Sequence, residues 1–113
     1  MHKSGLAGFI IDCKTDDLDG AARFWSQARH LPVESGGDPG YCKLARGPGG
    51  MNIELQQVDH PSRVHLDIES DDVEAEVRRL GGLGAKPVSR VKDWVVMESP
   101  TGHRFCVVPA RKA

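Results

Sequence analysis

The stretch SRVHLDIESDD, residues 62–72, sets one histidine, His65, in a run that alternates apolar and polar residues. An imidazole in that setting can ligate a metal ion, exchange protons near neutral pH, or satisfy a polar position facing a cavity. Alternation sends successive side chains of a strand to opposite faces. Val64, Leu66 and Ile68 then share the face expected to pack under a helix, and His65, Asp67 and Glu69 share the other. Two further runs behave the same way. MNIELQQ sets Ile53 and Leu55 against Asn52, Glu54 and Gln56, and HRFCVV sets Phe105 and Val107 against Arg104, Cys106 and Val108. Arg104 can pair with an anionic ligand or stand solvated. Trp94 and Met97 fall on opposite faces of one late strand, so one can line a site while the other packs in the core. Tyr41 either lines a site or lies on an edge.

The elements that carry these residues are written twice. FIIDCKTDDLDGAARFW (9–25) lies over VHLDIESDDVEAEVRRL (64–80) without a gap, and GPGGMNIELQQV (47–58) lies over SPTGHRFCVVPA (99–110). Two blocks matching in the same order indicate a duplicated unit of about 50 residues. The repeats are expected at about 6–58 and 62–110, joined by VDHPS (58–62) within one domain over 1–113. Each copy reads as strand, helix, then three strands. Thr15 and Ser70 are placed to cap the helix starts, with acidic residues in the first turns. Leu18, Ala22 and Trp25 recur at helical spacing, as do Val73, Val77 and Leu80, and Gly81, Gly82 and Gly84 close the second helix. The later strands are expected around Val33, Tyr41–Ala45 and Met51–Val58, then Pro87–Val91, Trp94–Glu98 and Arg104–Val108, with GPGG and SPTG as hairpin turns.

Comparison of the copies sorts scaffold from site. Asp12 matches Asp67, so both read as structural, bonding to nearby backbone or to an arginine. Ile10 against His65, and Glu54 against Cys106, break the symmetry on the polar faces. Those are the positions where an asymmetric site can be built. Cys106 is read either as a small buried hydrophobe or as a functional thiol. His30, His60 and His103 fall at a helix end, the linker and a turn, and read as surface residues.

Bulk properties exclude several classes. The chain of 113 residues is 39% hydrophobic and 27% charged with a formal net charge of −1, an ordinary globular composition lacking the basic face of a nucleic-acid binder. No apolar run approaches the roughly 20 residues of a membrane span, and the N-terminus lacks signal-peptide character. Cys13, Cys42 and Cys106 are odd in number and form no C-x-x-C pattern, which fits a reducing cytoplasm. The glycines of ESGGDPG and RGPGGM show no G-x-G-x-x-G spacing and read as turn chemistry. The tail ARKA is basic but short.

IIDCKTDD…AARFW, VHLDIESDDVEAEVRRLGGLGA and WVVMESPTGHRFCVV, which together span most of the chain, resemble the vicinal oxygen chelate superfamily. That superfamily includes glyoxalase I, bleomycin and fosfomycin resistance proteins and extradiol dioxygenases, and the match is nearest to small glyoxalase-like domains of bacterial proteins. The resemblance implies an α+β fold in which two tandem β-α-β-β-β modules form a half-open barrel around a cavity. It also implies a homodimer. Its four metal positions map onto Ile10 (or Gly8), Glu54, His65 and Cys106. A divalent ion doing Lewis-acid work needs about three protein ligands and an open position. Here Glu54 and His65 are standard ligands and Ile10 or Gly8 offers none. Cys106 as a thiolate suits zinc or iron better than magnesium.

The expectation is therefore a small-molecule-binding protein of the bleomycin-resistance kind, without a full catalytic metal site. Ile10, Asn52, Gln56, Trp94, Arg104 and Tyr41 would line the ligand, and His65 with Glu54 would form an acid–base pair if chemistry occurs. The alternative is a metal-dependent lyase, isomerase or dioxygenase using a divalent ion (Zn, Ni, Fe or Mn) on Glu54 and His65, completed by Cys106 or water.

Overall fold

A computed structural model describes residues 1–34, 38–46 and 50–110. Most of the GPGG turn, the centre of ESGGDPG and the last three residues of the ARKA tail lie outside the described residues. Two α-helices and seven β-strands are seen among the described residues, an α+β fold as expected. They are β1 (Ser4–Lys14), α1 (Leu18–Arg29), β2 (Tyr41–Leu44), β3 (Asn52–Val58), β4 (Arg63–Ser70), α2 (Val73–Gly82), β5 (Lys86–Val91), β6 (Trp94–Glu98) and β7 (Arg104–Pro109). They divide into two compact units. The N-terminal unit is Gly8–Val64, and the C-terminal unit joins Met1–Ala7 to His65–Ala113.

In the N-terminal unit β1 runs parallel to β3, from Gly8↔Asn52 to Lys14↔Val58, and β2 runs antiparallel to β3. The expected strand around Val33 is reduced to one isolated bridge, Val33↔Leu44. Helix α1 covers one face of this sheet. Ile11, Cys13, Ala22, Leu44, Ile53 and Leu55 are buried there, with Phe9, Leu18 and Trp25 packed against them.

The C-terminal unit repeats the plan with more strand. β4 runs parallel to β7, β7 antiparallel to β6, and β6 antiparallel to β5. Helix α2 covers Val95, Met97, Phe105 and Val107 with its own Val77 and Leu80, and Ile68 packs against them. The face Val64–Leu66–Ile68 is only partly under the helix, contrary to expectation. Val64 and Leu66 remain 57% and 48% exposed.

The helix starts also correct the sequence reading. The caps are Asp17 and Asp72, whose carboxylates accept from the N–H groups of Gly20 and Ala75, each at 3.0 Å. Thr15 and Ser70 stand two residues earlier. Their hydroxyls accept from the N–H of Asp17 at 2.9 Å and of Asp72 at 3.1 Å, fixing the capping residues rather than the helix itself. Such a cap stabilises by about 1 kcal/mol. At the other end of α2 the left-handed turn falls on Gly84, φ 108°, while Leu83 keeps helical geometry. Helix α1 ends on His30 in the left-handed region, φ 55°.

A buried carboxylate explains why the first seven residues count with the C-terminal unit. Glu76 of α2 is 0% exposed and takes both hydrogen bonds of a bidentate pair from Arg79, each 2.8 Å. His2 Nε2 lies 2.9 Å from the same carboxylate. Next to it, Lys3 N–H donates to the Asp71 carboxylate at 2.8 Å, and Asp71 N–H donates to the Lys3 carbonyl at 3.1 Å.

Candidate functional site

In the C-terminal unit the residues that alternate with the core under α2 point to the opposite face. His65, Asp67 and Glu69 of β4, Arg104, Cys106 and Val108 of β7, and Trp94, Val96 and Glu98 of β6 share it. Met97 is the partner that packs in the core, fully buried, so Trp94 is on the site face. Parallel pairing sets Asp67 opposite Cys106, and antiparallel pairing sets Val96 on the other side of Cys106. His65, two residues before Asp67, projects from the same face. One ligand atom each of His65, Asp67 and Cys106 lies within 4.8 Å of the other two. His65 Nε2 stands 3.7 Å from Asp67 Oδ1, and both side chains are largely covered. At the edge of the face Arg104 Nε lies 3.6 Å from Glu98 Oε1, so the arginine already has a carboxylate neighbour.

Asp67, read as scaffold, is set beside Cys106 by the register of β4 on β7. In the N-terminal unit Ile10 pairs with Glu54. The repeat aligns Ile10 with His65 and Glu54 with Cys106, so the second copy should pair His65 with Cys106. Instead Asp67 pairs with Cys106, a slip of two residues. A two-residue slip preserves which face a side chain occupies but changes its neighbour. No signal in either strand's own sequence carries that shift.

The N-terminal unit has its own polar face, away from α1. It carries Tyr41 and Lys43 of β2, Asn52, Glu54 and Gln56 of β3, and Ile10 and Asp12 of β1. Glu54 sits between Lys43 and Ile10 in the ladder. Gln56 Nε2 donates to Tyr41 Oη at 3.0 Å. Asp12, 3% exposed, has Arg63 Nε at 3.8 Å, the arginine neighbour expected for it. Asn52 Oδ1 is buried without a hydrogen-bond partner among the described residues. Ile10 is buried and offers no donor atom. Gly8, the alternative position, has no room for a side chain, since a Cβ there would stand 2.0 Å from the backbone oxygen of Asn52.

The expected ligand residues are thus carried on two faces, one per unit. His65, Cys106, Trp94 and Arg104 share the C-terminal one; Glu54, Asn52, Gln56, Tyr41 and Ile10 share the N-terminal one. Of the three thiols, burial pushes up the pKa of Cys13, with Asp12 adding to it, and burial likewise raises Cys42, with Asp19 adding to it. The surface reading of the other histidines holds for His30 and His103, whereas His60 is half-buried, with Nδ1 2.9 Å from the Pro61 carbonyl oxygen.

Residues 8–108 match the family model of the glyoxalase-like domain. The chain belongs to that family. This glyoxalase-like chain is similar to several solved structures. A hypothetical protein from Bacillus halodurans shares 14% identity over 98% of this chain and 97% of that one, with a TM-score of 0.68. A Mn(II)-bound glyoxalase from Novosphingobium aromaticivorans shares 19% identity over 92% of this chain but 38% of its own length, with a TM-score of 0.63. A glyoxalase/bleomycin resistance protein/dioxygenase superfamily member from Vibrio splendidus shares 14% identity over 93% and 98% of the two chains, with a TM-score of 0.61. At these identities the likeness is one of fold. No curated protein sequence matches the glyoxalase-like chain.

Proposed function

We propose that this glyoxalase-like protein binds a small organic molecule on the face of the C-terminal unit that carries His65. One observation supports this most directly. A largely covered imidazole, carboxylate and thiol converge within 4.8 Å on a face that also carries the apolar Trp94 and Val96. Recognition sites for small molecules combine such apolar area with a few convergent polar groups. His65 is the group we assign to contact or proton exchange, and Asp67, 3.7 Å away, orients it. The same three donors favour a second reading, metal-assisted lyase, isomerase or dioxygenase chemistry.

Trp94 supplies the readout. In a Trp25→Phe background it is the one remaining tryptophan, so a fluorescence and thermal-shift screen of small polar aromatics and carbonyl compounds reports on this face. A hit should quench Trp94, and His65→Ala should weaken it about tenfold or more, the worth of one charge-assisted hydrogen bond. Binding that is unchanged in both His65→Ala and Cys106→Ser would dispose of the proposal. A homodimer belongs to the same proposal, supported by the uncovered Val64 and Leu66. Light scattering should then give twice the 12.3 kDa chain mass, and a mass equal to one chain at micromolar concentration would rule it out.

A further inference from the structure

We infer that Cys106 is a nucleophilic thiol that takes small aryl aldehydes as reversible covalent thiohemiacetals, with His65 carrying the proton. The inference rests on the small-molecule reading of this face and adds a bond-forming residue to it. That reading gives a role to the imidazole and to the carboxylate, but none to the sulfur.

Three rows of side chains cross the face. Asp67 and Val96 flank Cys106 in the ladder and form the middle row with it. One step towards the start of β7, Arg104 is paired with Glu98. His65 comes level with them, since the parallel ladder opens one residue later, at Leu66↔Phe105. That row is polar. One step the other way stand Val108 and Trp94, an apolar pair with Glu69 at its β4 end. Rows on one face are about 6.6 Å apart, so one small molecule can reach both ends from the thiol. Cys106 is half-buried, whereas Cys13 is buried. One atom each of the His65 imidazole, the Asp67 carboxylate and the Cys106 thiol lies within 4.8 Å of the other two. That spacing is looser than a hydrogen bond, as resting nucleophile–base pairs often are, and rotation about the cysteine χ1 closes it.

These groups suffice for a carbonyl addition. The sulfur bonds to the aldehyde carbon as the thiol proton passes to the His65 imidazole. The π pair of the C=O bond moves to oxygen, and the imidazolium returns the proton there. An S–H bond and a C=O π bond are exchanged for an S–C and an O–H bond. Nothing is oxidised and nothing leaves. An aryl aldehyde fits the rows: its oxygen lies at the polar one, beside His65 and Arg104, and its flat ring lies along Val108 towards the Trp94 indole. A ketone would bring a second substituent to the polar row, where no apolar surface receives it. Asp67, 3.7 Å from the imidazole, is a positioning residue in this step.

The test uses the full chain with its thiols reduced, in the presence of a chelator. The probe is 4-fluorobenzaldehyde labelled with carbon-13 at the carbonyl. The expected result is one new carbon resonance per chain, moved from the aldehyde region to that of a tetrahedral thiohemiacetal carbon. Cys106→Ser should abolish it, and Cys42→Ser should leave it in place. Alkylation by iodoacetamide, followed cysteine by cysteine through peptide mapping, reads the nucleophile without the aldehyde. His65→Ala should slow alkylation of Cys106 by about 100-fold, the low end of general-base assistance, and free imidazole should restore part of the rate. Asp67→Asn should slow the same site and gain less from imidazole. The aldehyde should protect Cys106 but not Cys42. Circular dichroism melts establish that each variant is folded, and the spectrum of the unmutated chain depends on no variant. Absence of the resonance in the unmutated protein, its persistence in Cys106→Ser, or alkylation of Cys106 indifferent to His65→Ala would each overturn the inference. Quenching of Trp94 by the aldehyde in the Trp25→Phe background, without the resonance, would leave the functional proposal intact while this one fails.

Discussion

Glu76→Gln is expected to lower the melting temperature at pH 7 by roughly 10 °C, corresponding to about 2–3 kcal/mol. The carboxyl is held down to about 2 from an ordinary 4.5. The Arg79 guanidinium bonded to it is the main cause, opposed by burial and assisted by hydrogen bonds from His2 and Ser4. A folded-state pKa below the unfolded one means that the group stabilises the fold fully above about 4.5. That contribution is lost as pH falls from 4.5 towards 2. Glutamine keeps the volume and one acceptor but loses the charge. The stability of the variant should therefore be lower at neutral pH and should decline less between pH 5 and pH 2. Thermal melts of the two proteins across that range check it. Curves that fall in parallel would show that Glu76 is not the group responsible.

Gly8→Ala is expected to destabilise by about 3 kcal/mol or more, the upper range for overpacking. The added Cβ would meet Asn52 at 2.0 Å from O, 2.7 Å from C and 2.9 Å from Cα. All three are backbone atoms of a paired strand and cannot swing aside. Relief requires β1 and β3 to separate at the start of their ladder. Gly5→Ala, in the same strand, has no heavy atom within 4 Å of its new carbon and serves as the control. Denaturant midpoints for the two variants, with hydrogen exchange at Phe9 and Ile53, give the comparison. Equal stabilities would refute the clash.

The elements that local patterning specifies were legible in the sequence. Apolar spacing placed both helices, and alternation placed β6 and β7 and told which of their residues could share a face. Where a choice depended on neighbours, the sequence stayed silent. Trp94 and Met97 were interchangeable until α2 was seen to cover Met97. Thr15 and Ser70 have the right chemistry for caps, but Asp17 and Asp72 stand two residues closer to the free N–H groups. Glu76 and Arg79 stand three residues apart on α2, a spacing equally common on a solvated helix face. The buried Glu76 carboxylate meets His2, 74 residues away in the chain, and no local pattern encodes that return. The strand partner of Asp67 was illegible for the same kind of reason, since its duplicated counterpart Asp12 faces Gln56 and not a cysteine.

The slip between the two ladders has a consequence for anyone engineering this chain. Aligned copies invite grafting, in which a useful residue of one half is transplanted to its counterpart in the other. Cys106→Glu would look like such a graft, reproducing Glu54. In the N-terminal unit that carboxylate faces an isoleucine across the parallel pair. In the C-terminal unit it would face Asp67, and two carboxylates would share a single cross-strand position. The halves are homologous in sequence but not interchangeable as parts: the correct counterpart of a residue here is set by hydrogen-bonded register, about 6.6 Å along the strand from where alignment points.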